Sequence, residues 1–150
     1  MRFRPLDPEV RGFTGLVSNV SLNYVLRDWT KFTIKFDRDV TYSIEVNAPY
    51  YVMTGAFVEV GQALGGRFDA LGRFGRQYMD YREIASAADP LVDPNAGRLD
   101  RTVTYGLGIG YRLSDDTRIG FNVDYDRRMS PIEARHYDGY RFGGTLTYVY

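Results

Sequence analysis

The chain has 150 residues, with 19 Lys plus Arg against 19 Asp plus Glu, so its formal net charge is zero. That balance argues against a general nucleic-acid binder, which carries a basic surface. Aromatic residues at 15% argue against a disordered tail, and the lack of cysteine excludes disulfides, thiolate chemistry and Cys-ligated zinc or iron–sulfur centres.

No run of about 18 apolar residues is present, so no transmembrane helix is expected. The first residues, Met1 to Glu9, lack the apolar stretch and cleavage site of a signal peptide. The dominant pattern after residue 11 is alternation with period two, the mark of half-buried strands. Leu16, Val20, Leu22, Tyr24 and Leu26 alternate with Asn19, Ser21 and Asn23. Phe32, Ile34 and Phe36 alternate with Thr33, Lys35 and Asp37. Tyr50 to Ala63 carries Val52, Ala56, Val58 and Val60 on one parity. Arg67 to Tyr81 also reads as a strand, but its facing is ambiguous. Phe68 and Phe74 share a parity with Arg76, while Leu71 and Met79 share one with Arg73 and Gln77.

The clearest strand runs from Thr102 to Leu113. Val103, Tyr105, Leu107, Ile109, Tyr111 and Leu113 oppose Thr104, Gly106, Gly108, Gly110 and Arg112. After Ser114 to Thr117 the pattern resumes, with Ile119, Phe121, Val123 and Tyr125 opposite Arg118, Gly120, Asn122, Asp124 and Asp126. Tyr140, Phe142, Leu146, Tyr148 and Tyr150 close the chain opposite Arg141, Gly143, Thr145 and Thr147. About seven strands in sequential hairpins result. Short turns at 26–30, 63–67 and 114–117 alternate with longer polar loops near 43–49, 82–101 and 129–139. In an up-and-down sheet, all short connections then fall at one end and all long ones at the other.

Period two leaves open whether the apolar face points inward, as in a soluble ligand-binding barrel, or outward to lipid. Four features favour lipid. The apolar faces of the last strands hold no charge over about 10 residues, roughly one hydrocarbon crossing for a tilted strand. Their Tyr residues suit the membrane–water boundary. The opposite face mixes Gly with Arg, Asp, Asn, Lys and Thr, which suits a wet lumen. Short turns at one end and long loops at the other match outer-membrane barrels, whose turns are periplasmic. The expected fold is therefore all-β, an antiparallel up-and-down transmembrane β-barrel. Residues 1–11 are expected as an extracellular loop and 12–150 as the barrel strands.

Several stretches, in this order, resemble the C-terminal part of the beta-barrel porin 2 family of Gram-negative outer membranes. They are Tyr50-Tyr51-Val52-Met53-Thr54-Gly55, Gly65-Gly66-Arg67-Phe68-Asp69, Tyr78-Met79-Asp80-Tyr81-Arg82, Tyr105 to Leu113, Ile119 to Arg128, and Tyr137 to Tyr150. The resemblance implies a porin-like conduit or scaffold in the bacterial outer membrane, linked to exopolysaccharide or capsule export. It also implies that the terminal strand is read by the barrel-assembly machinery, with Phe142, Leu146, Tyr148 and Tyr150 as the signal; Gly144 interrupts that series. With Tyr150 at the periplasmic end, seven strands leave residues 1–11 outside. Because single-chain bacterial barrels have even strand numbers, this reading expects further strands and a signal peptide upstream.

The residues expected to line the lumen are Lys35, Asp37, Arg73, Arg112, Arg118, Asn122, Asp124 and Asp126. They could form a selective pore or a salt-bridge network stiffening it. The expected partners are outer-membrane lipid, the assembly machinery and a polysaccharide or small solutes. No enzymatic activity, cofactor or metal is expected. Gly106-x-Gly108-x-Gly110 lies within a strand, so it reads as a small-residue lumen face rather than a dinucleotide turn. Glu133-x-x-His136 sits in a loop without further ligands. Asp89, Asp93 and Asn95 lack the spacing of an EF-hand. His136, the single histidine, with Ser130 and Glu133 nearby, leaves a barrel hydrolase as a further alternative.

Overall fold

Nine strands form in the computed structural model, which describes residues 1–5, 8–10, 12–45, 47–84 and 97–148. The first two are short: β1 (Arg2–Phe3) pairs antiparallel with β2 (Phe13–Thr14). The other seven make one sheet. They are β3 (Ser18–Leu26), β4 (Thr30–Tyr42), β5 (Tyr50–Gly65), β6 (Phe68–Arg82), β7 (Leu99–Arg112), β8 (Thr117–Met129) and β9 (Tyr137–Tyr148). Each pairs antiparallel with the next, so sheet order equals chain order.

The connections alternate as the turn residues imply. Residues 27–29, 66–67 and 113–116 link strands at one end; 43–49, 83–98 and 130–136 link them at the other. The β3–β4 turn places Arg27 and Asp28 at φ 51° and 58°. Two consecutive left-handed residues match the twist of a tight hairpin, a conformation Asp tolerates better than most residues. Gly65 and Gly66, at φ 94° and 59°, do the same between β5 and β6.

The seven strands form an open antiparallel up-and-down sheet that does not close on itself, so the expected barrel is seen here only as one continuous wall. The ladder starts at β3 and stops at β9, leaving both as edge strands. Small single-chain membrane barrels carry at least about eight strands, and the sheet here has seven.

Register settles the faces. Leu22, Ile34, Val58, Phe74, Tyr105, Tyr125 and Tyr140 stand side by side across all seven strands. One row toward the short turns lie Tyr24, Phe32, Val60, Gly72, Leu107, Val123 and Phe142. Phe68, Phe74 and Arg76 of β6 belong to this apolar face; Leu71, Arg73, Gln77 and Met79 belong to the other.

The apolar face is open. Leu107 is 68% exposed and Phe142 66%. On the polar face, by contrast, Thr33, Asp100, Thr102 and Asp124 are buried although, among the described residues, no second layer of strands or helices covers them. Side chains crowd on a concave surface and splay on a convex one, so the sheet curls toward its polar face. A small apolar core sits at the long-loop end, where Phe13 packs with Tyr50 and Val52, flanked by Phe3, Val10, Val17 and Val40. Residues 1–11, expected as a loop, thus contribute β1, and the β1–β2 pair caps this end of the apolar face.

Candidate lumenal charge lattice

The polar face is organised by the glycines of β7. Gly106, Gly108 and Gly110 all point to this face, and each lies beneath side chains from the flanking strands. A Cβ at Gly106 would collide with Arg73 and Asp124; one at Gly110 would collide with Arg118 and Asp69. The alternate glycines therefore open a channel across which β6 and β8 reach one another. Without them, charges on β6 and β8 would be held apart by an intervening side chain.

Two ion pairs use that space. Arg73 of β6 meets Asp124 of β8 at 3.5 Å, directly over Gly106. Arg118 of β8 makes a two-pronged contact with Asp69 of β6, at 2.8 and 2.5 Å, over Gly110. The Arg118–Asp69 pair is the two-pronged type that Arg forms best, while Arg73–Asp124 is a looser contact. Asp124 is shared further: Asn122 donates to it at 3.2 Å, and Arg141 of β9 lies 3.8 Å away. Arg141 also reaches Asp126 at 3.3 Å, and Asp126 accepts the Thr104 hydroxyl at 2.6 Å. Four strands are thus stitched by one lattice.

Every residue expected to line the lumen falls on this face by register. Arg73, Arg118, Asn122, Asp124 and Asp126 belong to the lattice. Asp37 lies two strands away and accepts a hydrogen bond from Asn19. Lys35 and Arg112 are on the same face, exposed, and form no ion pair among the described residues. A groove of about 500 Å³ runs over this surface, walled by Lys35, Asp37, Glu59, Arg73, Asp124 and Arg141 among others.

A second cluster at the long-loop end was not anticipated. Asp100 is fully buried, between Arg98 at 3.3 Å and Arg128 at 2.5 Å. Arg98 lies over the Tyr81 ring, 3.6 Å from its centroid, and grips Glu45 with two hydrogen bonds at 2.8 and 2.9 Å. Glu45 also meets Arg135 at 2.7 Å. Burial works to lower the Arg98 pKa, but Glu45, Asp100 and Tyr81 more than offset it and hold the guanidinium above its ordinary value. The 43–49, 83–98 and 130–136 connections are thereby tied to one another and to the sheet. The local signal was present but read as loop: Leu99, Asp100 and Arg101 continue the alternation of Thr102 onward, so β7 begins at Leu99.

The His136 ring contacts the Ser130 backbone carbonyl rather than its hydroxyl, and the Ser130 hydroxyl accepts the Ile132 amide at 3.3 Å. These two residues do not form a nucleophile–base pair. Glu133 belongs to a one-turn 3₁₀ segment, Glu133–Arg135. Phe142, Leu146 and Tyr148 share the exposed apolar face of edge strand β9. Tyr150 lies outside the described residues, as do Asp89, Asp93 and Asn95.

No family model, curated protein or solved structure matches the chain.

Proposed function

We propose that this chain forms a wall of an outer-membrane β-barrel, a porin-like conduit or scaffold whose convex apolar face meets lipid and whose charge lattice faces the lumen. One observation carries the reading: seven adjacent strands expose an apolar face while arginines and carboxylates of β6, β8 and β9 pair with one another on the opposite face. On β7 that apolar face runs from Val103 to Leu113 without a charge. About ten residues at about 3.3 Å each, tilted by about 40°, span about 25 Å, the height of an outer-membrane apolar band. Hydrocarbon offers no hydrogen-bond partners, so the edges of β3 and β9 must be completed by strands beyond these seven.

The paired Arg73–Asp124 and Arg118–Asp69 bridges stiffen the wall, while exposed Lys35 and Arg112 meet the solute. The resemblance to exopolysaccharide-associated porins supports a polysaccharide as that solute. It supports the assembly machinery as the reader of β9. A soluble ligand-binding barrel would need Leu107, Ile109 and Phe121 inside; they lie on the face away from the crowded charges.

The absence of cysteine makes a direct test clean, because each introduced thiol is unique. Leu107→Cys and Phe121→Cys should resist a membrane-impermeant maleimide in intact membranes and react once detergent is added. Thr145→Cys, on the polar face, should react in both. Equal labelling of Leu107→Cys and Thr145→Cys in membranes would reject the reading, as would recovery of the protein in plain buffer after membranes are pelleted.

A further inference from the structure

The apolar face changes character near the long loops. The row Ala56, Arg76, Val103, Arg127 and the row Thr54, Tyr78, Arg101, Met129 bring three arginines onto adjacent strands. Arg76, Arg101 and Arg127 are exposed. The guanidinium carbons of Arg76 and Arg101 lie 5.0 and 5.7 Å from the Tyr78 ring centroid. None of the three forms an ion pair among the described residues, although seven other arginines do. Of the neighbouring carboxylates, Asp80 pairs with Arg82 at 2.5 Å, while Asp138 stands opposite Arg127, beyond ion-pair distance, and accepts the Tyr125 hydroxyl at 3.3 Å. Three cations with one nearby carboxylate, Asp138, leave a net positive charge at the rim of an apolar surface, which a further anion would relieve.

Two grooves adjoin the cluster. One, of about 580 Å³, has Arg101, Arg127 and Arg128 beside Leu99, Met129 and a single carboxylate, Asp138. The other, of about 540 Å³, lies further down the same face between Val58, Val60, Phe74, Leu107 and Val123. Its floor is Gly72, where a Cβ would meet nothing within 4 Å. The first groove suits an anionic head; the second, a mostly apolar furrow two rows wide that crosses β5 to β9, suits a hydrocarbon chain.

We infer that this surface binds a lipid with a phosphate headgroup, from the leaflet on the long-loop side. The phosphate sits among Arg76, Arg101 and Arg127, and an acyl chain lies over Gly72. Guanidinium forks match phosphate oxygens in pairs. The inference rests on the membrane-barrel reading above, because only then does the apolar face lie in lipid with this rim at headgroup depth.

The test uses the full chain in a neutral detergent, titrated with phosphatidic acid and with diacylglycerol of the same acyl chains. Bound lipid is counted by native mass spectrometry. Each basic side chain near an anionic lipid strengthens binding about fivefold, so the phosphate should be preferred by about a hundredfold. The triple variant Arg76→Gln/Arg101→Gln/Arg127→Gln should lose that preference, while Lys at all three positions should keep most of it. If the triple Gln variant fails to fold, each single Arg→Gln change should weaken phosphatidic acid by about fivefold. Gly72→Leu should weaken both lipids equally by filling the chain groove. Equal binding of the two lipids by the wild type overturns the site, as does a phosphate preference that survives loss of the arginines. Displacement of phosphatidic acid by equimolar inorganic phosphate would show a bare anion site and also overturn it. Flotation with phosphatidylcholine vesicles separates the two levels. A wild type that floats without phosphate preference loses only this site; one that does not float loses the barrel reading too.

Discussion

Replacing Leu107 by arginine distinguishes a lipid-facing sheet from a soluble one by magnitude alone. Leu107 is 68% exposed and sits between Gly72 and Val123, with no carboxylate in its row. It lies four residues from Val103 and six from Leu113, which places it about 10 Å below one margin of the apolar band and about 15 Å from the other. An arginine at that depth costs about 2–4 kcal/mol in an outer-membrane-type barrel. With about 1.4 kcal/mol per factor of ten, that is a drop of about 30- to 700-fold in the folded-to-unfolded ratio. On a water-exposed sheet the same change should fall within about 0.5 kcal/mol of zero. The measurement is a denaturant titration of the full chain in vesicles, followed by the fluorescence of Trp29, the single tryptophan. Thr145→Arg, exposed on the polar face opposite Gly120, is the control and should change little. A Leu107→Arg cost no larger than the Thr145→Arg cost would refute the assignment of the apolar face to lipid.

Asp100→Ala strands Arg98 and Arg128 around a buried site. It should cost about 3–5 kcal/mol and open the 43–49 and 130–136 connections to limited proteolysis; unchanged cleavage would show that Asp100 does not tie them. Gly106→Ala drives a methyl group into Arg73 and Asp124 and should destabilise by about 1–3 kcal/mol. Gly72→Ala, in open space on the other face, should be neutral or stabilising by a few tenths of a kcal/mol; reversal of that order in denaturant titrations would contradict the glycine-channel geometry. Trp29 is exposed at the short-turn end, so brominated acyl chains should quench it most strongly when the bromine lies near the headgroups. Strongest quenching from the chain ends would place that turn at the wrong depth.

Alternation of side chains fixed the strands and their two faces wherever each parity was chemically uniform. In β7, in β8 and in β9 beyond Tyr137 the apolar residues all stand on one parity, and the observed register agrees. The period is a property of the backbone, since successive Cβ atoms in a strand point to opposite sides, so it can be read without knowing any partner. β6 shows the limit. Its two parities each mix apolar side chains with an arginine, and only pairing across the ladder decides them: Arg73 opposite Gly106 and beside Asp124, Arg76 opposite Val103. The glycines of β7 were legible as a small-residue face, but what they make room for was not, because Arg73 and Asp124 are 51 residues apart in the chain. The Glu45–Arg98–Asp100 cluster joins segments up to 55 residues apart for the same reason. Charge pairing depends on distance in space, and for an antiparallel sheet that distance is set by register and strand order. Whether the sheet closes is likewise a matter of how many strands meet and how they are staggered, a collective quantity that no single strand's sequence encodes.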